Sequence, residues 1–250
     1  MFTDTHCHFE KQYYDNYDEV FQNAFENNVN RFIASGYSVE TNIESLNLSK
    51  KYSFVYSTLG YHPDQAEIYI EGDLDLLKSQ VINNCKVVGI GEIGLDYHYE
   101  GYNKEHQIIL FEKQLKLAEE LHLPVVIHSR DATQDTIDVL KKYNVKGVIH
   151  SFSGSYEVAK IYISMGFKLG INGVVTFKNS NLSDTLSRLS PNDIVLETDS
   201  PYLTPDPFRG NKNESKNIFY IAEKVASIYN ISLEKLSEIT NKNIQSIFDI

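Results

Sequence analysis

The 250-residue sequence contains no tryptophan, only two cysteines and few positive charges. Two cysteines, Cys7 and Cys85, are too few for a disulfide framework, so we expect a reducing compartment, the cytoplasm. No apolar run reaches membrane-spanning length, and the N-terminus lacks the basic and apolar regions of a secretion signal. The sequence therefore predicts a protein without a membrane partner, and it shows no sign of an obligatory protein partner.

The chain has fewer positive than negative residues. Lys and Arg total 23 and Asp and Glu total 34, so the net charge is −11. This balance argues against a basic groove that grips long nucleic acid by neutralising its phosphates. It leaves phosphate chemistry open, since bound divalent cations supply local positive charge.

Short apolar runs alternate with longer amphipathic stretches along the whole sequence. The predicted strands are Phe2–Cys7, Arg31–Ser35, Phe54–Gly60, Val87–Glu92, Pro124–His128, Lys146–His150, Lys168–Ile171 and Ile194–Glu197. The predicted helices, from their three-and-four spacing of apolar residues, are Tyr17–Asn28, Lys104–Leu121, Asp131–Tyr143, Ser155–Met165, Lys216–Tyr229 and Ser232–Phe248.

This alternation predicts an α/β fold, a parallel sheet closed into a (β/α)8 TIM barrel that forms a single domain over residues 1–250. An open doubly wound sheet is the alternative. Such a sheet usually carries a glycine-rich phosphate loop after its first strand, where this sequence has His6-Cys7-His8.

His6 and His8 are the most informative pair in the sequence. Phe2, Thr3 and Thr5 favour a strand, and side chains two residues apart on a strand point to the same face. Two imidazoles at that spacing can bind one divalent cation, and a water activated by the cation is a nucleophile at neutral pH. The pair therefore points to a hydrolase.

Metal-competent side chains also follow other predicted strands, at the ends that open on one face of a parallel barrel. The predicted ligands are His6, His8, Glu92, His128, His150 and Asp199. Six ligands suit two ions, with Glu92 as the carboxylate that bridges them.

The first predicted ion takes His6, His8, Glu92 and Asp199, and the second takes Glu92, His128 and His150. Asp199 is the predicted general base. Glu197 is predicted to contact and orient a metal ligand without binding the ion itself. Mixed imidazole and carboxylate ligands suit Zn or Mn, while Mg prefers oxygen, so the identity of the ions stays open.

Five motifs resemble those of the TatD family of metal-dependent deoxyribonucleases. They are Asp4-Thr5-His6-Cys7-His8, Gly91-Glu92-Ile93-Gly94-Leu95-Asp96-Tyr97, His128-Ser129-Arg130, His150-Ser151-Phe152-Ser153-Gly154 and Glu197-Thr198-Asp199-Ser200-Pro201-Tyr202. The resemblance covers nearly the whole chain. It implies a TIM-barrel hydrolase that uses one or two divalent ions on DNA phosphodiesters.

One loop departs from the family pattern, because Ser215 stands where the family usually has proline after Asn213-Glu214. The predicted phosphate contacts are His62, Arg130 and Arg209. Without tryptophan, base stacking would fall to tyrosines, for which the candidates are Tyr61, Tyr97 and Tyr202.

The sequence thus predicts a deoxyribonuclease, for example an exonuclease, that prefers short or single-stranded DNA ends over long duplex. Two alternatives remain open at this point. The same metals could hydrolyse an amide, a lactone or an aminoacyl nucleotide ester, or the barrel could be a binding partner without catalysis.

Overall fold

The computed structural model describes residues 1–250, apart from the side chain of Glu71. It contains a sheet of eight parallel strands in the order β1 to β8, alternating with helices. The strands are β1 (Phe2–Cys7), β2 (Val29–Ser35), β3 (Val55–Leu59), β4 (Val87–Asp96), β5 (Val125–Arg130), β6 (Gly147–Ile149), β7 (Phe167–Ile171) and β8 (Ile194–Leu196). The chain has the (β/α)8 barrel fold, as the sequence predicts.

Nine α-helices lie among the described residues. They are α1 (Tyr17–Glu26), α2 (Val39–Lys51), α3 (Glu71–Ile82), α4 (Lys104–Leu121), α5 (Thr133–Leu140), α6 (Tyr156–Ser164), α7 (Leu182–Ser187), α8 (Ile218–Tyr229) and α9 (Leu233–Phe248). Side chains of Asn103 and Ser232 cap the first turns of α4 and α9 by accepting backbone N–H groups. Within the described residues, no helix combines the length and the apolar character needed to cross a membrane.

The chain divides into two compact units, which we call the discontinuous unit (Met1–Ala34 with Ser151–Ile250) and the continuous unit (Ser35–His150). In the discontinuous unit, aromatic rings pack between β1, β2 and α1. Phe21 lies with its ring centroid 5.0 Å from those of Phe9 and Phe32, and all three side chains are buried. Apolar burial of this kind is the main source of stability for the unit.

The continuous unit is built on the pairing of β4 with β5, and α4 packs against β4. Ile90 and Ile93 of β4 and Phe111 and Leu115 of α4 are fully buried. Towards the carboxyl ends of the strands, Gly94 pairs with His128 and Asp96 with Arg130. This register decides which polar side chains meet at the end of the pair.

Candidate metal centre

The discontinuous unit brings three of the predicted ligands together. The Nε2 atoms of His6 and His8 lie 3.1 Å apart, and Asp199 Oδ1 lies 3.8 Å from the first and 3.4 Å from the second. Both histidines are buried, whereas the Asp199 side chain keeps 14% of its surface exposed. A tetrahedral ion with bonds of about 2.0–2.1 Å places its ligand atoms about 3.4 Å apart, so the spacing fits one divalent cation.

Backbone hydrogen bonds between the ends of β1 and β8 hold this group. The Asp199 N–H donates to the His6 carbonyl at 2.9 Å, and the His8 N–H donates to the Ser200 carbonyl at 2.8 Å. Asp199 has φ 57°, in the left-handed region that Asp tolerates better than most residues. Left-handed backbone of this kind is concentrated at functional sites.

Asp4, two residues before His6, connects the same two strand ends from the buried side. Its carboxylate accepts the Thr198 backbone N–H at 2.9 Å and the Thr198 hydroxyl at 2.6 Å. Burial raises the pKa of Asp4 to about 7, although the hydrogen bonds from Thr198 act in the opposite direction. Asp4 therefore positions the segment that carries Asp199.

Glu197 is fully buried and accepts the Ser151 backbone N–H at 2.6 Å. Gly170 makes room for it, because a Cβ at that position would collide with the Glu197 carboxylate. The carboxylate thus fixes the start of the loop after β6. That Glu197 orients a ligand stays a prediction.

The continuous unit brings together the other three predicted ligands. Glu92 Oε1 lies 2.9 Å from His128 Nδ1 and 3.8 Å from His150 Nε2. The rings of His128 and His150 are nearly parallel, with centroids 6.5 Å apart. These three side chains can each offer one ligand atom to a common ion, and that Glu92 bridges two ions stays a prediction.

Asp96 is a site residue that the sequence analysis missed. Its Oδ2 lies 3.0 Å from His128 Nε2, and with His62 and His128 it forms a second group able to hold a metal. Burial alone would lower the pKa of His128, but hydrogen bonds to Asp96 and Glu92 outweigh it and raise the pKa to about 9. The signal was present in the sequence, since Glu92, Gly94 and Asp96 are two residues apart and share one face of an extended β4.

Gly94 permits the close approach of β4 to β5 beside this group. Its φ is 149°, and a Cβ there would collide with the carbonyl oxygen of His128. Glycine at this position therefore lets the His128 backbone lie close enough for its ring to meet both Glu92 and Asp96.

The predicted phosphate contacts lie in different settings. The His62 ring packs edge-on against His128 with centroids 4.4 Å apart, and Arg130 is exposed two residues after His128 on β5. Arg209, in the discontinuous unit, stacks over the ring of Phe177. Their contacts with phosphate stay predictions.

The tyrosines considered for stacking differ in exposure. Tyr61 is buried and donates its hydroxyl to the Asp73 carbonyl, so it offers no open face. Tyr97 stacks on Tyr102 with centroids 4.7 Å apart, while Tyr202 is 46% exposed and lies beside His8. Of these three candidates, only Tyr202 keeps a large exposed surface.

The donor sets fit a divalent ion that accepts both nitrogen and oxygen. Each unit offers two imidazole nitrogens and a carboxylate oxygen that lie within 4.8 Å of one another. Such mixed sets suit Zn or Mn better than Mg. The arrangement can therefore hold cations and activate water for hydrolysis.

Comparison with known proteins agrees with this chemistry. The sequence profile of the family described as TatD related DNase matches residues 3–249. The chain is 38% identical over 255 residues to the uncharacterized metal-dependent hydrolase YabD of Bacillus subtilis, covering 100% of both chains. It is also 35% identical to the uncharacterized metal-dependent hydrolase MJ1582 of Methanocaldococcus jannaschii, covering 99% of this chain and 96% of that one.

Solved structures show the same relationship. The crystal structure of YjjV, a TatD homolog from Escherichia coli K12, superposes with a TM-score of 0.95 at 29% identity, covering 100% of this chain and 98% of the other. A TatD family hydrolase from Entamoeba histolytica gives a TM-score of 0.88 at 26% identity, covering 99% and 97%. With its fold, its ligand groups and a family match over nearly its whole length, this chain is a metal-dependent hydrolase that belongs to the TatD-related DNase family.

Proposed function

We propose that this hydrolase is a deoxyribonuclease that cleaves DNA phosphodiester bonds with a metal-activated water. The observation that carries the proposal is the presence, in each compact unit, of a group of two histidines and one carboxylate that can share an ion. The description of the matching family supports DNA as the substrate.

The residues of the two groups would hold one divalent ion each. In the discontinuous unit these are His6, His8 and Asp199, and in the continuous unit they are Glu92, His128 and His150. Bound divalent ions supply Lewis acidity towards a phosphate oxygen and lower the pKa of water. Glu92 would be the carboxylate ligand of the ion in the continuous unit.

Asp199 is the proposed general base. Its carboxylate keeps 14% of its surface exposed, while the neighbouring His6 is completely buried, so Asp199 is open to water and substrate. The carboxylate oxygen that does not bind the ion would take the proton from the attacking water, and the hydrogen bond from the Asp199 backbone N–H to the His6 carbonyl holds the segment that carries this carboxylate. Glu197 and Asp4 keep the segment before and after Thr198 in place.

His62 and Arg130 are the proposed phosphate contacts of the continuous unit. His62 packs against the predicted ligand His128. Arg130 follows His128 by two residues on β5. Arg209 is the proposed contact in the discontinuous unit. Because the net charge is −11, we propose short or single-stranded DNA ends as the preferred substrates.

Elemental analysis of the purified protein, followed by chelation and add-back of Zn, Mn or Mg, tests the proposal. The substrates are a single-stranded oligonucleotide, a long duplex, bis(p-nitrophenyl) phosphate, an amide, a lactone and an aminoacyl ester. We expect metal-dependent cleavage of the phosphodiesters, fastest on the single strand. Cleavage of the amide, lactone or ester without any phosphodiester cleavage would refute DNA as substrate, and metal binding without hydrolysis would favour a binding protein.

A further inference from the structure

An exposed aromatic surface lies at the carboxyl end of β4 and β5, and we call its residues His98, Tyr99 and Arg130 the aromatic platform. Tyr99 keeps 66% of its surface exposed, an unusual fraction for so large a ring. The Arg130 guanidinium lies 5.2 Å from the centre of the Tyr99 ring and donates to its hydroxyl at 3.2 Å. The His98 ring meets Tyr99 edge-on, with centroids 5.2 Å apart.

The aromatic platform is tied to the ligand group of the continuous unit through Asp96. One oxygen of Asp96 accepts the His98 backbone N–H at 2.9 Å, while the other lies 3.0 Å from His128 Nε2. Asp96 itself is fixed to α4, because Gln107 exchanges two hydrogen bonds with its backbone. The position of the platform is therefore set by the same carboxylate that contacts a predicted ligand.

The loop between the platform and α4 is held by a second aromatic contact. The rings of Tyr97 and Tyr102 stack with an interplanar angle of 12°, and Lys104 lies over the Tyr97 ring. The Tyr97 N–H also donates to the Arg130 carbonyl at 2.9 Å. These contacts fix the two ends of the turn from which Tyr99 projects.

Arg130 is a cation without an acidic partner. Among the described residues, no carboxylate lies within ion-pair distance of its guanidinium, whereas Arg188, for comparison, faces Glu157 at 3.9 Å. On a chain with a net charge of −11, this arginine is a positive group that is available to a phosphate. Arg130 follows His128 by two residues, which places their Cα atoms about 6.6 Å apart on a strand.

We propose that the aromatic platform binds an unpaired nucleobase of the DNA strand that is being cleaved. The base stacks on the open face of Tyr99, and Arg130 binds a phosphate next to the one at the ligand group. This inference rests on the proposed deoxyribonuclease function and adds its substrate form, because a base inside a duplex is stacked on both faces and cannot also stack on Tyr99. Aromatic stacking combined with arginine is the usual basis of sequence-tolerant single-strand binding.

The absence of tryptophan from the chain provides a direct test, since Tyr99→Trp places a single tryptophan, which can be excited selectively over the tyrosines, on the platform. Metal-loaded Tyr99→Trp protein is titrated with a single-stranded thymidine oligonucleotide whose phosphorothioate linkages resist hydrolysis. We expect saturable quenching, and much weaker quenching by a blunt duplex or by a strand of abasic sites. Ile82→Trp, at an exposed position that ends α3, is the control and should not respond.

Arg130→Gln in the Tyr99→Trp background should weaken binding and reduce its dependence on salt. Tyr99→Ala should raise KM for a single-stranded oligonucleotide by about 5- to 160-fold, the range expected for one stacked base. Correctly folded Tyr99→Trp that shows no quenching overturns the proposal. Equal quenching by the abasic strand or in the control also overturns it.

The two proposals fail in different ways. Quenching of Tyr99→Trp together with absence of DNA hydrolysis refutes the deoxyribonuclease function and keeps the base-binding site. Hydrolysis of DNA with the same KM in Tyr99→Ala and wild type refutes the base-binding site and keeps the function.

Discussion

The carboxylate of Asp4 receives two hydrogen bonds from Thr198, one from its backbone N–H at 2.9 Å and one from its hydroxyl at 2.6 Å. Thr198 stands between Glu197 and Asp199, so this contact decides where both carboxylates lie. The two partners are 194 positions apart in the chain. The contact thus joins β1 to β8 immediately behind the ligand group.

Replacement of Thr198 by valine tests this contact. The substitution keeps the shape and removes the hydroxyl that donates to Asp4 and accepts the Ser200 N–H. We expect a loss of about 1–3 kcal/mol in the free energy of unfolding, measured with urea, because a buried carboxylate loses a donor. Thr198→Ser is the control and should keep most of the stability, so equal losses in both variants would contradict the interpretation.

Asp199→Asn removes the negative charge of the proposed base and keeps its backbone conformation. Asparagine accepts the left-handed conformation as aspartate does, so the fold should be unchanged. We expect kcat on bis(p-nitrophenyl) phosphate to fall about 10²- to 10⁴-fold at saturating metal. Asp249→Asn, at another left-handed aspartate that is exposed after α9, should retain full activity. Full activity of Asp199→Asn would remove this residue from the mechanism.

Asp96→Asn tests the residue that links His128 to the loop after β4. Loss of the Asp96 charge weakens the hydrogen bond that orients the His128 ring. We therefore expect metal affinity or activity to fall about 10- to 100-fold. Metal content after dialysis and kcat with added metal distinguish these two effects. Asp138→Asn, on the exposed side of α5, serves as the matched control, and a decrease of the same size there would count against a specific role.

Gly94→Ala tests the close approach of β4 and β5. The added Cβ would collide with the His128 carbonyl at a φ that alanine rarely adopts, so we expect a loss of about 2–4 kcal/mol and reduced metal binding. Gly72→Ala in α3 has open space around the new Cβ and should instead stabilise the protein by about 0.5–1 kcal/mol. Urea unfolding of both variants checks the opposite signs.

Much of the fold could be predicted because the apolar runs of buried strands are plain in the sequence. β1 and α4 begin and end at the residues predicted, since strong apolar patterns define both. β4 was predicted to stop at Glu92 but continues to Asp96, because Gly91 and Gly94 interrupt the apolar pattern without ending the strand. α2 and α3 were missed, since the asparagines, serines and threonine of α2 and the glycine and aspartates of α3 hide their helical spacing.

The candidate site could also be predicted only in part. The ligands His6, His8, Glu92, His128 and His150 could be named because each lies within one residue of a predicted strand end. The contact of Asp96 with His128 depends on the register of β4 against β5, and the exposure of Tyr99 depends on how the following loop is held. Both arise from tertiary contacts, which a single sequence does not display.

The His6–His8–Asp199 group joins the beginning of the chain to a segment synthesised much later, while Glu92, His128 and His150 all belong to one uninterrupted stretch. During translation, the uninterrupted stretch can collapse as soon as it leaves the ribosome, whereas the other group must wait for β8 to emerge. The nascent polypeptide therefore completes its two ligand groups in a fixed temporal order, and the group that contains the proposed base comes last.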